Sequence, residues 1–395
     1  MKPILPDGVR YIIGKLEENG KSGHIVGGCV RDFLLSKTPN DYDITTDATP
    51  DEMKQIFASE RTVETGIKHG TLTVLYKGEP YEVTTYRVDG EYEDHRRPKA
   101  VSFTDTLSGD LARRDFTMNA ICYNERDGFV DMFSGIEDIK ARVIRAVGDA
   151  ERRFEEDALR ILRAIRFAAS LGFKIEEKTA SSAVKKSHLL SAVSAERIYT
   201  EWKKLLSGDF AYEVINEYGE ILSRFLFKEK IRLPDRERFD RAGAEERQLS
   251  VFYLSLENAP ERFSEFCDGM KTDSKTKKNG VIALSNISID LNTKKEVRLA
   301  TVRLGREAVS LILRLKALCS MKCVFPSELD SILSEGYPLS LSELSVNGED
   351  MRSLGFRGRE IGTALERLLV AAASGEVKNE RDELLALGKE ICDGV

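Results

Sequence analysis

Asp41 and Asp43 stand at i and i+2 in Pro39-Asn40-Asp41-Tyr42-Asp43-Ile44, thirteen residues after the second glycine of Gly27-Gly28-Cys29-Val30-Arg31-Asp32. An apolar residue follows the pair, so the segment reads as the start of a strand, on which i and i+2 point to one face. Two neighbouring carboxylates repel each other and are relieved by sharing hard divalent cations. A glycine-rich turn upstream lets backbone N–H groups approach a phosphate. A phosphate cradle beside paired acids is suited to metal-assisted phosphoryl or nucleotidyl transfer. The same residues also fit a plain turn whose aspartates cap nearby N–H groups. The choice between these readings rests on what surrounds them.

Three further segments carry charge into apolar surroundings. Glu82, in Tyr81-Glu82-Val83, is either an exposed edge-strand residue or a candidate third carboxylate, placed to help activate a hydroxyl. Leu111-Ala112-Arg113-Arg114-Asp115-Phe116-Thr117-Met118-Asn119-Ala120 joins two arginines, which suit bidentate phosphate binding, to an aspartate and an asparagine able to hold ribose hydroxyls. A salt-bridged helix entry fits it equally well. In the third, Asp157, Arg160, Arg163 and Arg166 recur every three residues. As an ordinary ion-pair ladder, that stripe contributes only about 0.2–0.5 kcal/mol per pair. It also has a chemical reading. A carboxylate accepts from an exocyclic amine and a guanidinium donates to a ring nitrogen, the pattern that cytosine and adenine present on their Watson–Crick edges. Guanine and uracil present the opposite polarity. An Asp157–Arg160 pair would therefore accept CTP and ATP and reject GTP and UTP without a template, because unpaired buried polar groups penalise the wrong base.

The elements that must position these residues change character along the chain. Up to about residue 145, strand-like runs (His24-Ile25-Val26, Tyr42-Asp43-Ile44, Thr71 to Tyr76, Tyr81 to Tyr86) alternate with helical ones. Thr49-Pro50-Asp51-Glu52 opens a helix with threonine as N-cap and proline at the first position. Arg87 to Phe103 reads as a long polar loop. From about residue 150 the periodicity is helical, over Glu156 to Leu171, Ala195 to Leu206, Tyr212 to Leu226 and Ala300 to Leu318. Joints are expected near Lys228 to Arg241 and Phe325 to Pro338.

With 395 residues the chain exceeds a single compact core. No signal-peptide pattern opens it, and no apolar run is long enough to span a bilayer. The six cysteines lack metal-ligand spacing and the four histidines are dispersed, so a reduced cytoplasmic protein without structural zinc or a histidine centre is expected. A net charge of −6 is weak evidence against a nucleic-acid partner, since local basic runs such as Lys275-Thr276-Lys277-Lys278 bind phosphate whatever the total.

Taken in order, these motifs resemble the class II tRNA nucleotidyltransferases, that is, CCA-adding enzymes and their bacterial poly(A) polymerase relatives. The resemblance runs through Gly27-Gly28-x-Val30-Arg31-Asp32, Asp41-x-Asp43, Thr65-Gly66 to Gly70-Thr71, Glu82-Val83-x-Thr85-x-Arg87 and Arg113-Arg114-Asp115-Phe116-Thr117-x-Asn119-Ala120. It continues through Glu156-Asp157-x-x-Arg160-x-x-Arg163 and Glu196-Arg197-Ile198 to Glu201, is strong over residues 20 to 205, and is weaker at Val346-Asn347-Gly348-Glu349-Asp350. It implies a polymerase-β-like α/β nucleotidyltransferase head (1–148), then an all-α neck (149–215), body (216–330) and tail (331–395). It implies magnesium (Mg2+) on Asp41 and Asp43 and Glu82 as third acid. Gly28, Arg31 and Arg114 would hold triphosphate and sugar, Asp157 and Arg160 would read the base, and Arg163 and Arg166 would complete the pocket. The implied partners are tRNA, ATP and CTP, with no membrane, as a monomer or homodimer. The complete segment from Arg87 to Pro98 disfavours CC-only addition, and no long basic C-terminal extension marks a poly(A) polymerase. The alternatives are an A-adding enzyme working beside a separate CC-adding one, a less favoured poly(A) polymerase, and, from a different class, a catalytically dead nucleotide sensor on the same fold. One departure is Gly109-Asp110, where the family usually has two acids; little consequence is expected of it.

Overall fold

The computed structural model describes residues 3–89, 92–93, 97–98, 101–226 and 229–394. The chain forms two compact units, Met1–Ile221 and Leu222–Val395. The boundaries expected at 148/149 and 330/331 each fall inside a unit.

The first unit is built on seven strands: β1 (Gly23–Val26), β2 (Asp43–Thr46), β3 (Arg61–Val63), β4 (Thr71–Tyr76), β5 (Glu79–Thr85), β6 (Ile121–Asn124) and β7 (Gly128–Asp131). Their order in the sheet is β7-β6-β1-β2-β5-β4-β3. All neighbours are antiparallel except β2 and β5, which run parallel with Asp43 opposite Glu82 and Thr45 opposite Thr84. Period-two alternation explains the central strands: Leu72, Val74, Val83 and Ile44 are fully buried, while Thr71 and Thr84 pair their hydroxyls across strands at 3.0 Å. The parallel pair needs a crossover, supplied in part by the helix Pro50–Ile56 with the expected proline start and a complete Thr49/Glu52 capping box. Val26 and Cys122, paired between β1 and β6, pack with Leu111, Ala120 and Val147 in one buried cluster.

Two expectations change here. The stretch from Arg87 to Phe103 contains a strand pair, Arg87–Asp89 against Val101–Phe103, rather than loop alone; its residues 90–91, 94–96 and 99–100 lie outside the described residues. The helix expected from Glu156 to Leu171 is two helices, Ala150–Glu156 and Leu159–Leu171. Asp157 breaks the run: its backbone is extended (φ −142°, ψ 102°), and its carboxylate accepts the N–H of Leu159, the first residue of the second helix, at 3.1 Å, a local bond that competes with continuing the first helix.

The second unit is helical. Ala300 to Leu318, expected as one helix, is split at Gly305 (φ 85°) into Lys294–Leu304 and Arg306–Leu318, the first opened by a Thr293/Glu296 capping box. Helices Ala259–Gly269 and Ser274–Ser285 approach so closely that a Cβ on Gly280 would lie 2.1 Å from the Phe263 ring. Phe252, Phe263 and Phe266 form an aromatic cluster there, and Met351, Leu368, Ala372 and Leu384 pack a second core near the C-terminus. Lys228, in the first expected joint, lies outside the described residues, and the compact units divide a few residues earlier. All six cysteines are free thiols. Among the described residues no helix is long and apolar enough to cross a membrane.

Candidate active site

Gly27 follows the first strand with φ 82° and ψ −127°, a conformation that only glycine adopts without strain. A Cβ there would lie 3.0 Å from Arg114 Nη1, so the turn is also a place of close approach. Gly28 starts the helix Gly28–Leu34, which carries Arg31. The Arg31 guanidinium donates to Asn119 Oδ1 at 2.8 Å and to Asp32 Oδ1 at 2.7 and 2.9 Å. Arg114 is held more loosely: its side chain makes one hydrogen bond among the described residues, Nη2 to Asp110 Oδ2 at 3.3 Å. Its Nε is buried with no partner. An orphaned guanidinium donor beside a glycine turn is the arrangement expected of a group awaiting an anionic ligand.

The carboxylates gather at the other edge of this turn. Asp43 opens its strand and is paired in register with Glu82 on the parallel neighbour; Asp41 lies two residues ahead of the strand and outside it. Asp43 reaches solvent, yet the protein around it displaces part of its water. This desolvation raises its carboxyl above the ordinary value, Asp41 and Glu82 add repulsion, and Arg114 opposes them. Among the described residues no three His, Cys, Asp or Glu side chains converge into a metal cage. The donor set is nonetheless oxygen-only and mutually repelling. It therefore fits a hard cation of the Mg2+ kind, which takes one or two carboxylates and completes its shell with water and substrate phosphate.

Across from the turn lies the arginine stripe, and each member has a partner. Arg163 donates to Asp115 Oδ2 at 2.8 Å through Nε and 2.6 Å through Nη2. Asp115 in turn receives Asn119 Nδ2 at 3.1 Å, so Arg31, Asn119, Asp115 and Arg163 form one chain of bonds. Burial alone would raise the Asp115 carboxyl; Arg163, the Asn119 bond and Arg160 outweigh it and hold the group at about 2. Arg166 donates to Glu201 Oε2 at 2.9 Å and stacks 3.6 Å from the centre of the Phe167 ring. Asp115 and Asn119, read as ribose ligands from their types, thus carry the two arginines.

Asp157 and Arg160 are linked through the backbone, the Arg160 N–H donating to the Asp157 carbonyl at 3.0 Å, while their side chains have separate partners. Asp157 Oδ2 accepts from Arg197 Nη2 at 2.7 Å, whereas Arg160 donates to Glu156 Oε2 at 2.9 Å and to the carbonyls of Arg153 and Arg113 at 3.2 and 2.9 Å. Among the described residues those three bonds use three of the five guanidinium N–H donors of Arg160. Each oxygen of Asp157 keeps a lone pair after its single bond. Arg197, Glu201, Glu156 and Asp110 are the partners that reading the residues one by one did not single out. The signal available for Arg197 and Glu201 was their place in the Glu196-Arg197 to Glu201 motif.

A polymerase-type sheet with paired acids beside a glycine turn and an arginine-lined flank defines a nucleotidyltransferase. In agreement, the family described as poly A polymerase head domain matches residues 23–145, and the one described as probable RNA and SrmB-binding site of polymerase A matches residues 172–219. The CCA-adding enzyme of Pediococcus pentosaceus is 36% identical over 392 residues, covering 95% of this chain and 96% of its own. That of Geobacillus stearothermophilus is 47% identical over 211 residues, about half of each chain. The crystal structure of the Bacillus stearothermophilus CCA-adding enzyme in complex with CTP superposes with a TM-score of 0.83 at 30% identity, covering 100% of this chain and 99% of that one. The chain belongs to the CCA-adding enzymes.

Proposed function

We propose that this chain adds C, C and A in turn to the 3′ end of tRNA, using CTP and ATP and releasing pyrophosphate. The observation that carries the reading is the placement of Asp43, repelled by Asp41 and Glu82, within electrostatic reach of the partly unpaired Arg114 at the Gly27 turn. Asp41 and Asp43 would hold Mg2+, which when bound supplies charge neutralisation and Lewis acidity at the reacting phosphate. Arg114 and Arg31, flanking Gly27 and Gly28, take the triphosphate and sugar. The 3′-hydroxyl oxygen attacks the α-phosphorus, the bond to the β-phosphate oxygen breaks, and Glu82 stands ready to accept the hydroxyl proton. Asp157 accepts from the exocyclic amine of cytosine or adenine and Arg160 donates to the ring nitrogen. Arg163 and Arg166, fixed by Asp115 and Glu201, close the pocket. In this reading residues 1–148 are the catalytic head and 149–215 the neck, while the helical body (216–330) and tail (331–395) grip tRNA, and the reaction belongs to the cytoplasm.

The test offers labelled CTP and ATP separately to tRNAs ending before CCA, after C and after CC. Two CTP additions followed by one ATP addition are expected, and Asp41→Ala abolishes all of them. Extension of the CC-ended tRNA alone would replace this reading with A-addition.

A further inference from the structure

Asp110, in the helix Leu107–Ala112, is 0% exposed. A carboxylate withdrawn so completely from water persists only where charges and donors replace the lost hydration. Arg113 supplies most of this, with Nε and Nη2 at 3.0 and 2.7 Å from Oδ1. If Asp110 served the helix alone, that bidentate pair would suffice. Its second oxygen instead receives two donors from different parts of the site, Arg114 Nη2 and Thr45 Oγ1, each at 3.3 Å. Thr45 lies two residues beyond Asp43 on the same face of the strand, opposite Thr84 as Asp43 is opposite Glu82. One carboxylate oxygen therefore ties the strand of the acids to the arginine at the glycine turn. Burial would raise the Asp110 carboxyl, but Arg113 and Arg114 pull it below its ordinary value, so it is ionised at neutral pH.

Arg114 has no other tether: among the described residues its side chain makes no hydrogen bond except to Asp110, and its Nε is buried and unpaired. We infer that Asp110 is a positioning residue for nucleotidyl transfer, holding the Arg114 guanidinium against the Gly27 turn in fixed relation to Asp43 so that one triphosphate meets both. The inference rests on the role given to Arg114 above.

Calorimetric titration of CTP into the wild type, Asp110→Asn, Arg114→Ala and the double variant tests it, with tRNA extension assayed alongside. Loss of a charge-assisted bond that orients a ligand-binding group should weaken CTP about tenfold in Asp110→Asn. The loss should vanish in the Arg114→Ala background, because Asp110 acts only through Arg114. The affinity for tRNA should not move. Wild-type affinity for CTP in Asp110→Asn, or a full additional loss on top of Arg114→Ala, would overturn the proposal. Should Asp110→Asn lack a cooperative melting transition, Thr45→Val decides. It removes one donor while keeping the β-branched shape, and is expected to weaken CTP about threefold in the wild type and not in Arg114→Ala; unchanged CTP affinity in the wild-type background would count against the inference. A wild type that binds CTP but does not extend tRNA would defeat the proposed function and leave this result standing.

Discussion

Asp115 shows at the residue scale how this site carries so many arginines. It is the anion at the centre of the bond chain from Arg31 through Asn119 to Arg163, and its carboxyl is held at about 2 against an ordinary 3.8. A folded-state value below the unfolded one means that the folded state gains stability once the group ionises. That gain is complete above about pH 4 and disappears as pH falls towards 2, since protonation then releases Arg163. Its size is about 2 kcal/mol from the width of the shift. Urea unfolding between pH 7 and pH 2 should show this slope in the wild type, whereas Asp115→Asn should be less stable at pH 7 and flatter below pH 4. Parallel curves for the two proteins would show that Arg163 does not depend on the charge. Asp115 and Asn119 were visible in the sequence as polar residues in an apolar segment. That they carry Arg163 and Arg31 was not, because those arginines lie 48 and 88 positions away and only packing brings them together.

Local chemistry and tertiary geometry contributed unequally to the elements. The strand from Thr71 to Tyr76, the proline-started helix after Thr49 and the helix Ala195–Leu206 follow from alternation, capping and periodicity, all of which are local. The break at Asp157 escapes a periodicity argument because the apolar spacing continues across it; a carboxylate that bonds the backbone N–H two residues on interrupts the helix without interrupting the pattern. Gly305 hides a break in the same way. The strand-to-helix turn at Gly27 is where element and site coincide. Its φ and ψ exclude side-chain-bearing residues, and its missing Cβ makes room for Arg114. Gly27→Ala should therefore cost about 1–3 kcal/mol of stability from the backbone alone. It should also displace Arg114 and weaken CTP and ATP about tenfold or more, as loss of a guanidinium–phosphate contact does. Thermal melting gives the first quantity and nucleotide titration the second. A destabilised protein with normal nucleotide affinity would show that the turn serves the fold and not the ligand.

At the scale of the molecule, everything assigned to catalysis and base reading lies in Met1–Ile221, and the second unit contributes none of these residues. The asymmetry was only half legible. In the first unit, unusual residue types recur at spacings that chemistry explains. In the second, helices such as Arg306–Leu318 are specified by ordinary amphipathic packing, which announces a fold but no ligand. The division has a consequence that can be measured. The first unit has its own buried sheet core, with Ile25, Ile44, Leu72, Val74 and Val83 fully excluded from solvent, as an independently stable domain requires. A fragment from Met1 to Leu226, keeping the helical segment Ala211–Leu226, kinked at Tyr218, whole, should therefore fold and bind CTP and ATP within about threefold of the full chain, a difference under 1 kcal/mol. Extension of tRNA by the same fragment should fall by orders of magnitude, because the helical surface proposed to grip tRNA has been removed and the 3′ end is no longer held at the acids. Adding the severed second unit at high concentration should not restore the rate, since the two parts would then have to meet in solution. A fragment that extends tRNA at the full rate would move tRNA recognition into the first unit, and one that folds but binds neither nucleotide would overturn the assignment of nucleotide binding to the first unit alone.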